Sequence, residues 1–306
     1  MLWGTIQELI KADDRDKWDL RVEGRQLHFD TNGTLTARQN GNAQAYKLSD
    51  FSTTQLCQRL AIPARYFKRL PAEMQAALAN YDLGRLADIG FLIRGKGEAI
   101  RAVLSHRYAP YNNHEVIEVA EAAVNDHGLI VRSFELEDRA MFLKLTTSTL
   151  TDRTLELKAG VMIGNSEVGF AQVTIEPFLY RQPCTNDLIL AEAVGFRHRH
   201  VGFRAEKFSE RITQGIVNAV KLAETAVFTA HVADQHPVPN PTREIEQLGR
   251  EWNLDVRVRA AVLAAFEAEP RATRFGVANS FTRAAQRLRP VERIEVERLA
   301  GRLLAA

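Results

Sequence analysis

The chain has 306 residues, enough for one large domain or two modest ones and too many for a small disulfide-stabilised scaffold. Its 45% hydrophobic and 25% charged residues are typical of an ordinary globular protein. The balance of 40 basic against 38 acidic residues excludes a histone-like coat of positive charge, although a local basic groove stays compatible with it.

The cysteines and the N-terminal segment indicate the compartment. Cys57 and Cys184 lack the CxxC spacing of a metal cluster, so we expect each to be a buried thiol in a reducing environment. The first twenty residues contain acidic side chains and no apolar core, unlike a signal peptide. No stretch approaches the roughly 18 apolar residues of a membrane helix. We therefore expect a cytoplasmic protein without a membrane partner.

Residues 1–89 are predicted to form a hairpin followed by a small helical subdomain. Asn32 and Gly33 separate two segments of alternating character, which is the strongest short-range signal of a hairpin. Ser52 is suited to cap a helix, and proline favours the first turn of a helix. The helices are expected to begin at Ser52, Pro63 and Pro71.

Residues 90–233 are predicted to form the core, with the element order β-β-α-β-β-β-β. Glycines on either side of Lys96 mark the first hairpin turn, and the next helix should be capped at Asn112 or the following residue and end at Gly128. A long helix from about residue 209 to 232 carries an apolar stripe that should pack on the sheet. The predicted fold class is therefore α+β: an antiparallel, hairpin-rich sheet packed by a long helix.

The C-terminal part is predicted to be separate from this core. Residues 234–242 are rich in proline and indicate a linker, and residues 243–306 form an Arg-rich helical tail. Basic and acidic residues alternate along this tail, a pattern typical of a solvated, salt-bridged helix face that also suits a protein-interaction module. The residues in this pattern are Arg283, Arg287, Glu292, Arg293, Glu295, Glu297, Arg298 and Arg302.

A basic segment with interleaved aromatic residues spans residues 196–211. Basic side chains that follow a phosphate backbone and aromatic side chains that stack on bases are the general features of single-strand binding. The alternative is a solvated loop that enters a helix, with its aromatic side chains anchored in the core. The candidate phosphate contacts in this segment are Arg197, Arg199, Arg204 and Lys207.

Further candidate contacts lie near the first hairpin, and a histidine pair lies in the basic segment. Arg107 precedes a helix N-terminus, a position where anions bind well, and Arg94 and Lys96 lie beside the hairpin turn. His198 and His200 are two residues apart and would share one face of a strand, but no third metal ligand lies nearby. We therefore expect these histidines to be structural or to face phosphate, and we expect no metal.

The signals of enzymatic chemistry are weak. Asp138, Glu156 and Lys158 fit the loose acid-then-ExK pattern of metal-dependent nucleases, but roughly one such match is expected by chance at this composition. Residues 164–169 lack the spacing of a nucleophile elbow, and residues 94–97 lack the features of nucleotide-binding loops. We expect no cofactor and no catalytic residue, and a metal-dependent nuclease is the enzyme alternative.

Residues 164–190 carry a resemblance to a known family. An Asn-Ser dipeptide, a strand, an Arg and then Cys-x-Asn resemble the phage/plasmid-like proteins grouped as domain of unknown function 932. The segment from Ile62 to Tyr66, the pair Arg107-Tyr108 and the Arg-rich residues 279–304 extend the resemblance over most of the chain. Members of that family are encoded by mobile elements, which implies a role in the DNA metabolism of such elements.

The predicted element order also looks like the β-β-β-α core of single-strand annealing proteins of the RecT and phage beta-protein class, a likeness of element order alone. Annealing proteins need a groove that holds phosphates and leaves the bases free to pair, and rings or filaments extend such a groove along DNA. We therefore predict an ATP-independent protein of a phage, plasmid or other mobile element that binds and anneals single-stranded DNA in recombination or repair, as a homo-oligomer. The alternative is a non-catalytic protein-interaction or structural module of such an element.

Overall fold

The computed structural model describes residues 3–182, 185–190, 193, 195–201 and 205–305. Within these ranges the chain forms ten helices and two sheets of mostly antiparallel strands, with helical regions towards both ends. The predicted α+β class is therefore confirmed. Among the described helices, none combines the length and the hydrophobicity that crossing a bilayer requires.

The N-terminal third begins with a helix that the sequence prediction lacked and continues with strands and helices. In chain order its elements are α1 (Trp3–Asp14), β1 (Lys17–Glu23), β2 (Leu27–Phe29), β3 (Thr34–Gln39), β4 (Asn42–Leu48), α2 (Asp50–Arg59), α3 (Ala64–Phe67), α4 (Ala72–Arg85), β5 (Gly90–Lys96) and β6 (Ala99–Ser105).

The rest of the chain continues the predicted order and adds two short strands before the C-terminal helices. Its elements are α5 (Asn113–His127), β7 (Leu129–Leu136), β8 (Met141–Thr147), β9 (Leu157–Asn165), β10 (Val173–Arg181), β11 (Asn186–Ile189), β12 (Phe196–His198), α6 (Ala205–Gln235), α7 (Pro241–Glu251), α8 (Val256–Ala268), α9 (Arg274–Ala285) and α10 (Pro290–Ala305).

Short-range signals located most turns and caps correctly. Gly33 lies in the turn between β2 and β3 with a φ of +79°, a left-handed conformation that glycine adopts without steric cost. The helix α5 begins after Asn112 and ends at Gly128, which is also left-handed. At α2 the prediction was wrong by about one turn, because Ser49 is the cap. Its Oγ accepts the N–H of Ser52 at 3.1 Å, and the Ser52 Oγ accepts the Ser49 N–H at 2.8 Å.

The first sheet has the strand order β1-β5-β6-β4-β3-β2. The hairpin of β5 and β6 lies inside this sheet, between β1 and β4, whereas the sequence prediction placed it in a separate core from residue 90 onward. β1 pairs with β5 along its whole length, and β4 pairs with β6 in parallel over two residues. The predicted boundary at residues 89 and 90 therefore cuts through one sheet. The pairing of β1 with β5 joins residues 67 to 79 positions apart, and no local pattern encodes it.

The second sheet has the order β11-β10-β9-β8-β7, and β12 pairs with β10. Helices cover both of its faces, whereas the sequence prediction placed a helix on one face. On β9, Val161 and Ile163 pack against α5 and α6, while Met162, which points to the opposite face, packs near Ile294 of α10. Burial on both faces explains why β9 is hydrophobic almost throughout.

The C-terminal helices are part of this second unit, so the prediction of a separate, solvated tail is wrong. α9 is buried along nearly its whole length. The arginines of the tail pair mainly outside their own helix: Arg298 binds the buried Glu176 of β10, and Arg293 binds Glu135 of β7. The predicted linker is also packed, since the Val238 N–H donates to the Ala272 carbonyl at 2.9 Å.

Candidate nucleic-acid interface

A cavity of about 640 Å³ opens between the two sheets. One wall comes from the end of α2 and from β6, and the other comes from the loop before β10 and the segment after β12. The Ala109 N–H donates to the His200 carbonyl at 2.8 Å and thereby joins the two walls. Small-molecule sites occupy about 300–1,000 Å³. We call this space the intersheet cavity, and its lining includes Gln55, Arg59, Arg107, Phe170, Arg199 and His200.

The arginines of the intersheet cavity have no carboxylate partner. Arg59 ends α2, Arg107 follows β6 and Arg199 follows β12, and all three are exposed. Their guanidinium groups form no ion pair with any residue in the described part of the chain, and no described lining residue is acidic. Guanidinium groups in a concave surface without a counter-charge attract anions, and their fork of N–H donors matches a phosphate. The cavity is therefore an anion-attracting space.

A buried histidine lines the same cavity. His200 is 4% exposed, and its ring stacks on Tyr108 with the centroids 4.9 Å apart. Burial lowers the pKa of His200 to about 4 against an opposing effect of the Ala109 backbone, so the ring is neutral at neutral pH. Neither ring nitrogen makes a hydrogen bond of ordinary geometry to a described residue. Both ring nitrogens are closed to solvent, so His200 forms part of the wall and does not present a donor or an acceptor to the open space of the cavity.

A well-anchored loop forms the wall between β9 and β10. The Ser166 carbonyl accepts the Tyr108 hydroxyl at 2.9 Å, and the Ser166 Oγ accepts the Phe170 N–H at 3.0 Å. Gln55 of α2 donates to the Val168 carbonyl at 2.8 Å. Gly169 has a φ of +72°, which lets the loop turn sharply. These contacts hold Phe170 at the rim, where its side chain is 40% exposed.

The loop is also fixed through Glu167, which is buried. Its Oε2 lies 2.8 Å from Lys17 Nζ and 3.0 Å from Arg101 Nη1, and its Oε1 accepts the Asn113 N–H at 2.9 Å. Burial acts to raise the pKa of Glu167, but Lys17, the Asn113 N–H and Arg101 together hold it below its usual value. The carboxylate therefore stays charged and ties the loop to the first sheet.

The acidic cluster around Lys17 is an ion-pair network. Carboxylate oxygens of Asp13, Asp14 and Glu167 lie within 4.8 Å of one another. The Lys17 ammonium lies 2.6 Å from Asp13, 2.8 Å from Asp14 and 2.8 Å from Glu167. This ammonium supplies the positive charge that the cluster needs, so we do not assign a metal site to it.

The structure brings two predicted contacts, Arg107 and Arg199, into the intersheet cavity, and it places a third beside it. A second cavity of about 400 Å³ shares residues 170–172 with the first, and Arg197 lines it. The Arg197 side chain is 49% exposed, but its Nη2 lies 3.5 Å from the buried Oε1 of Glu176. Arg197 is thus accessible and partly neutralised.

Of the other four predicted contacts, three are described, and they lie outside the intersheet cavity. Arg94 is buried and donates to Asp19, to the Glu167 carbonyl and to Asn112, which corrects its prediction as a phosphate contact because no phosphate reaches it there. Lys96 is half-buried and pairs with Asp13 at 2.9 Å, outside the intersheet cavity. The remaining two are Lys207, exposed in the first turn of α6, and Arg204, which lies outside the described residues.

The aromatic residues of the basic segment support the core. Phe208 is buried and stacks on Tyr111 with the centroids 3.9 Å apart, and Phe196 is half-buried against the same core. Phe203 lies outside the described residues. For Phe196 and Phe208 the prediction of base stacking is therefore wrong, and the alternative of aromatic anchors is confirmed. The exposed aromatic group at the cavity is Phe170, from another segment.

Sequence reasoning missed Arg59 and Phe170. Arg59 is a basic residue in the last turn of a helix, where such residues are common for helix stability alone, so its sequence carries no distinctive signal. Phe170 follows Gly169 in the motif that carried the family resemblance, and an aromatic residue beside a turn glycine is the one signal available. Only the folding of α2 against the loop brings the two residues to one cavity.

The structure does not bring Asp138, Glu156 and Lys158 together. Asp138 lies in the loop before β8, near the end of β9 that holds Asn165, while Glu156 immediately precedes the opposite end of β9. A strand of nine residues spans roughly 30 Å at about 3.3 Å per residue. Lys158 donates to the Ser148 carbonyl at 3.0 Å. The predicted nuclease site is therefore wrong.

The residues that carry the family resemblance have structural roles where they are described. Asn165 donates to the Tyr111 carbonyl at 3.0 Å, and Asn186 donates to Asn279 Oδ1 of α9 at 2.9 Å. Cys57 is a buried free thiol, as expected, and Cys184 lies outside the described residues.

Comparison with known proteins gives no match to this chain among protein-family models, curated proteins or solved structures. The resemblance to domain of unknown function 932 therefore stays a prediction.

Proposed function

We propose that this protein binds single-stranded DNA without ATP, and that Arg59, Arg107 and Arg199 hold the phosphates in the intersheet cavity. The observation that carries the proposal is the set of three guanidinium groups without a carboxylate partner among the described residues. Charge-assisted hydrogen bonds from guanidinium to phosphate oxygens are among the stronger polar contacts of proteins. Because nearby Arg94 and Arg197 are already paired, the cavity arginines are distinguished by their availability.

The position of Phe170 favours the binding of a single strand over the binding of a duplex. Its exposed ring lies at the rim, beside the arginines, and bases that stack on an aromatic side chain must be unpaired. Stacking tolerates any sequence because every base has a π face. We therefore expect binding that depends on strand character and salt rather than on sequence.

The more specific part of this proposal is that the protein anneals complementary single strands. A site that grips phosphates and covers few bases leaves the others free to pair, and a homo-oligomer in a ring or filament would repeat the site along DNA. Mixing two complementary strands that carry a donor and an acceptor fluorophore measures this activity. The proposal expects faster pairing with protein than without it, and unchanged pairing would limit the function to binding.

The experiment on binding uses fluorescence anisotropy of a labelled oligonucleotide across a series of salt concentrations. Each cavity arginine contributes roughly 1.5–3 kcal/mol if it contacts a phosphate, so Arg107→Gln and Arg199→Gln should each weaken binding by about tenfold or more. Both variants should also lower the slope of affinity against salt, since fewer counterions are released.

Arg257→Gln is the matched control, because Arg257 is exposed on α8, has no ion-pair partner in the described ranges and lies outside the intersheet cavity. Its affinity should equal that of the wild type. Absence of binding at micromolar protein and low salt would overturn the proposal, and so would an equal loss in all three variants.

A further inference from the structure

We infer that the bound single strand continues from the intersheet cavity across Phe170 into a second phosphate subsite beside α10, where Arg302 and Arg197 contact its backbone. This subsite rests on the proposed function and extends it to residues outside the intersheet cavity. Three observations support it: the position of Phe170, the charges that line the neighbouring cavities, and the exposure of Arg302.

Phe170 lies where two cavities meet. The second cavity, of about 400 Å³, is partly lined by α10, and we call it the α10 cavity. Residues 170–172 line both this space and the intersheet cavity, and the Phe170 side chain is 40% exposed. An internal nucleotide has a phosphate on each side of its base. A strand that stacks one base on Phe170 can therefore place one neighbouring phosphate in each cavity.

The α10 cavity is basic. Three arginines line it against one acidic residue, the exposed Glu295. Two of the arginines, Arg197 and Arg298, pair with the same carboxylate, that of the buried Glu176, so these three groups together keep a positive charge. The third arginine is Arg302. A concave surface with an excess of positive charge attracts the phosphates of a nucleic acid.

Arg302 is available to an anion. It lies in the last turn of α10, its side chain is exposed, and it forms no ion pair with a residue in the described ranges. A basic residue stabilises the last turn of a helix at any orientation, whereas Arg302 lines the cavity together with two other guanidinium groups. Its fork of N–H donors matches the oxygens of a phosphate. Arg197, with its side chain 49% exposed, offers the donors that Glu176 leaves free.

The third cavity beside Phe170 disfavours a strand. Its volume is about 530 Å³, and three acidic residues line it against two arginines, Arg139 and Arg289. Arg289 already pairs with one of these acidic residues, Glu292. The acidic lining residues are Glu137, Asp138 and Glu292. Since an excess of carboxylates repels phosphate, the charges direct the strand from Phe170 into the α10 cavity.

The experiment measures the binding of labelled oligothymidylates by fluorescence anisotropy, with the length increased one nucleotide at a time from a dinucleotide. The shortest strands that bind can occupy the intersheet cavity alone, and longer strands reach both cavities. Arg302→Gln should therefore leave the affinity for the shortest strands unchanged. It should weaken the affinity for long strands by about tenfold, because one charge-assisted contact is lost. For long strands the slope of affinity against salt should fall by about 0.7, the value for one phosphate contact on a single strand.

Glu295→Gln tests the same subsite with the opposite sign. Removal of this exposed carboxylate from the α10 cavity should tighten the binding of long strands by roughly two- to fivefold at low salt, which is the strength of an exposed charge interaction. The shortest strands should bind as they do to the wild type. Weaker binding of long strands by this variant contradicts the subsite.

Arg287→Gln is the matched control. Arg287 lies shortly before α10, is exposed, has no ion-pair partner in the described part of the chain and lines neither cavity. This variant should bind strands of every length as the wild type does. A loss equal to that of Arg302→Gln would show that the general positive charge, and not the subsite, is responsible.

The outcomes separate this subsite from the proposed function. If Arg302→Gln leaves the affinity unchanged at every length while Arg199→Gln weakens it, the second subsite is overturned and the proposed function stands. An equal loss at all lengths in Arg302→Gln overturns the separation of the two subsites. If no strand binds to the wild type, both proposals are overturned.

Discussion

At the scale of single residues, a buried lysine organises the second sheet. Lys144 of β8 is 2% exposed, and its ammonium lies 2.6 Å from Asp187 of β11 and 2.6 Å from Glu297 of α10. Glu297 also faces Arg293 at 3.8 Å and accepts a hydrogen bond from Gln286 at 3.3 Å. Two carboxylates therefore share one buried ammonium, and a second cation lies farther away.

With one buried ammonium shared between them, the ionisation of Glu297 beside an ionised Asp187 is disfavoured. Burial raises the pKa of Glu297 to about 7, Lys144 opposes the shift, and the neighbouring charge of Asp187 adds to it. The pKa is thus higher in the folded protein than in the unfolded chain, where a glutamate titrates at about 4.3. Folding takes up a proton between these two values, so the contribution of Glu297 to stability is present at the acid end and is lost as the pH rises.

We predict that Glu297→Gln removes a pH dependence of stability. In the wild type, Glu297 should lower the free energy of unfolding by up to about 1.4 kcal/mol per pH unit as the pH rises from about 5 to about 7. The glutamine keeps an acceptor for Lys144 and does not titrate, so this part of the slope should disappear. Denaturant unfolding at a series of pH values measures it.

Glu295→Gln on the same helix is the control, because Glu295 is exposed. It should retain the slope of the wild type. If Glu297→Gln instead retains the full slope, other groups are responsible for it and the raised pKa of Glu297 is contradicted.

At the scale of elements, the docking of α10 on the second sheet depends on a glycine. Gly301 lies against the backbone of β11, and a methyl group at this position would overlap the Ile189 carbonyl oxygen. The absence of a side chain lets the helix approach the strand closely. The same approach places Glu297 within reach of Lys144.

We predict that Gly301→Ala destabilises the protein by about 1–3 kcal/mol, because the helix must move away from a backbone atom that has no room to yield. Gly84→Ala is the matched control. Gly84 lies in α4 with nothing within 4 Å of an added Cβ, and alanine there should stabilise the helix by roughly 0.5–1 kcal/mol. The midpoint of thermal unfolding reports both changes. Equal midpoints for the two variants would show that α10 is not closely docked.

At the scale of the whole molecule, the C-terminal helices and the second sheet form one hydrophobic unit. Leu157, Leu179 and Leu188 of the sheet share a buried cluster with Phe275 and Phe281 of α9. The cluster also includes residues of α6, α7, α8 and α10. These leucines lie on the face that also packs on α5 and α6, and α9 helps to cover this end of it, while Ile294 of α10 packs against Met162 on the opposite face. The C-terminal helices are therefore part of the cover of both faces.

We predict that a chain ending at residue 240 does not fold into a unique structure. The loss of α7 to α10 would expose the apolar cluster around Leu179 and the opposite face around Met162, and it would leave Lys144 without one of its carboxylates. Such a chain should bind a hydrophobic dye, lose its near-ultraviolet circular dichroism and unfold without a cooperative transition. A truncated chain with the signals of the full protein would instead support the separate tail that the sequence pattern suggested.

The local structure of this protein is determined largely by its sequence. The left-handed turn at Gly33, the helix end at Gly128 and the element order from β5 to β10 follow from glycine conformations and hydrophobic periodicity, which act over a few residues. Arg107 is a candidate contact because it precedes a helix N-terminus, and Arg199 is one because it belongs to the basic segment. Such signals are readable because their causes lie within one or two turns of chain.

The tertiary structure alone decided which elements share a sheet and which charges are available. β1 joins β5 across the chain, and helices cover both faces of the second sheet, because long-range pairing and burial depend on the whole fold. Arg94 is as basic as Arg59 in sequence, yet folding buries Arg94 among its partners and leaves Arg59 open at the intersheet cavity. The sequence determined how many charges the protein has, and the packing determined which of them remain without a partner.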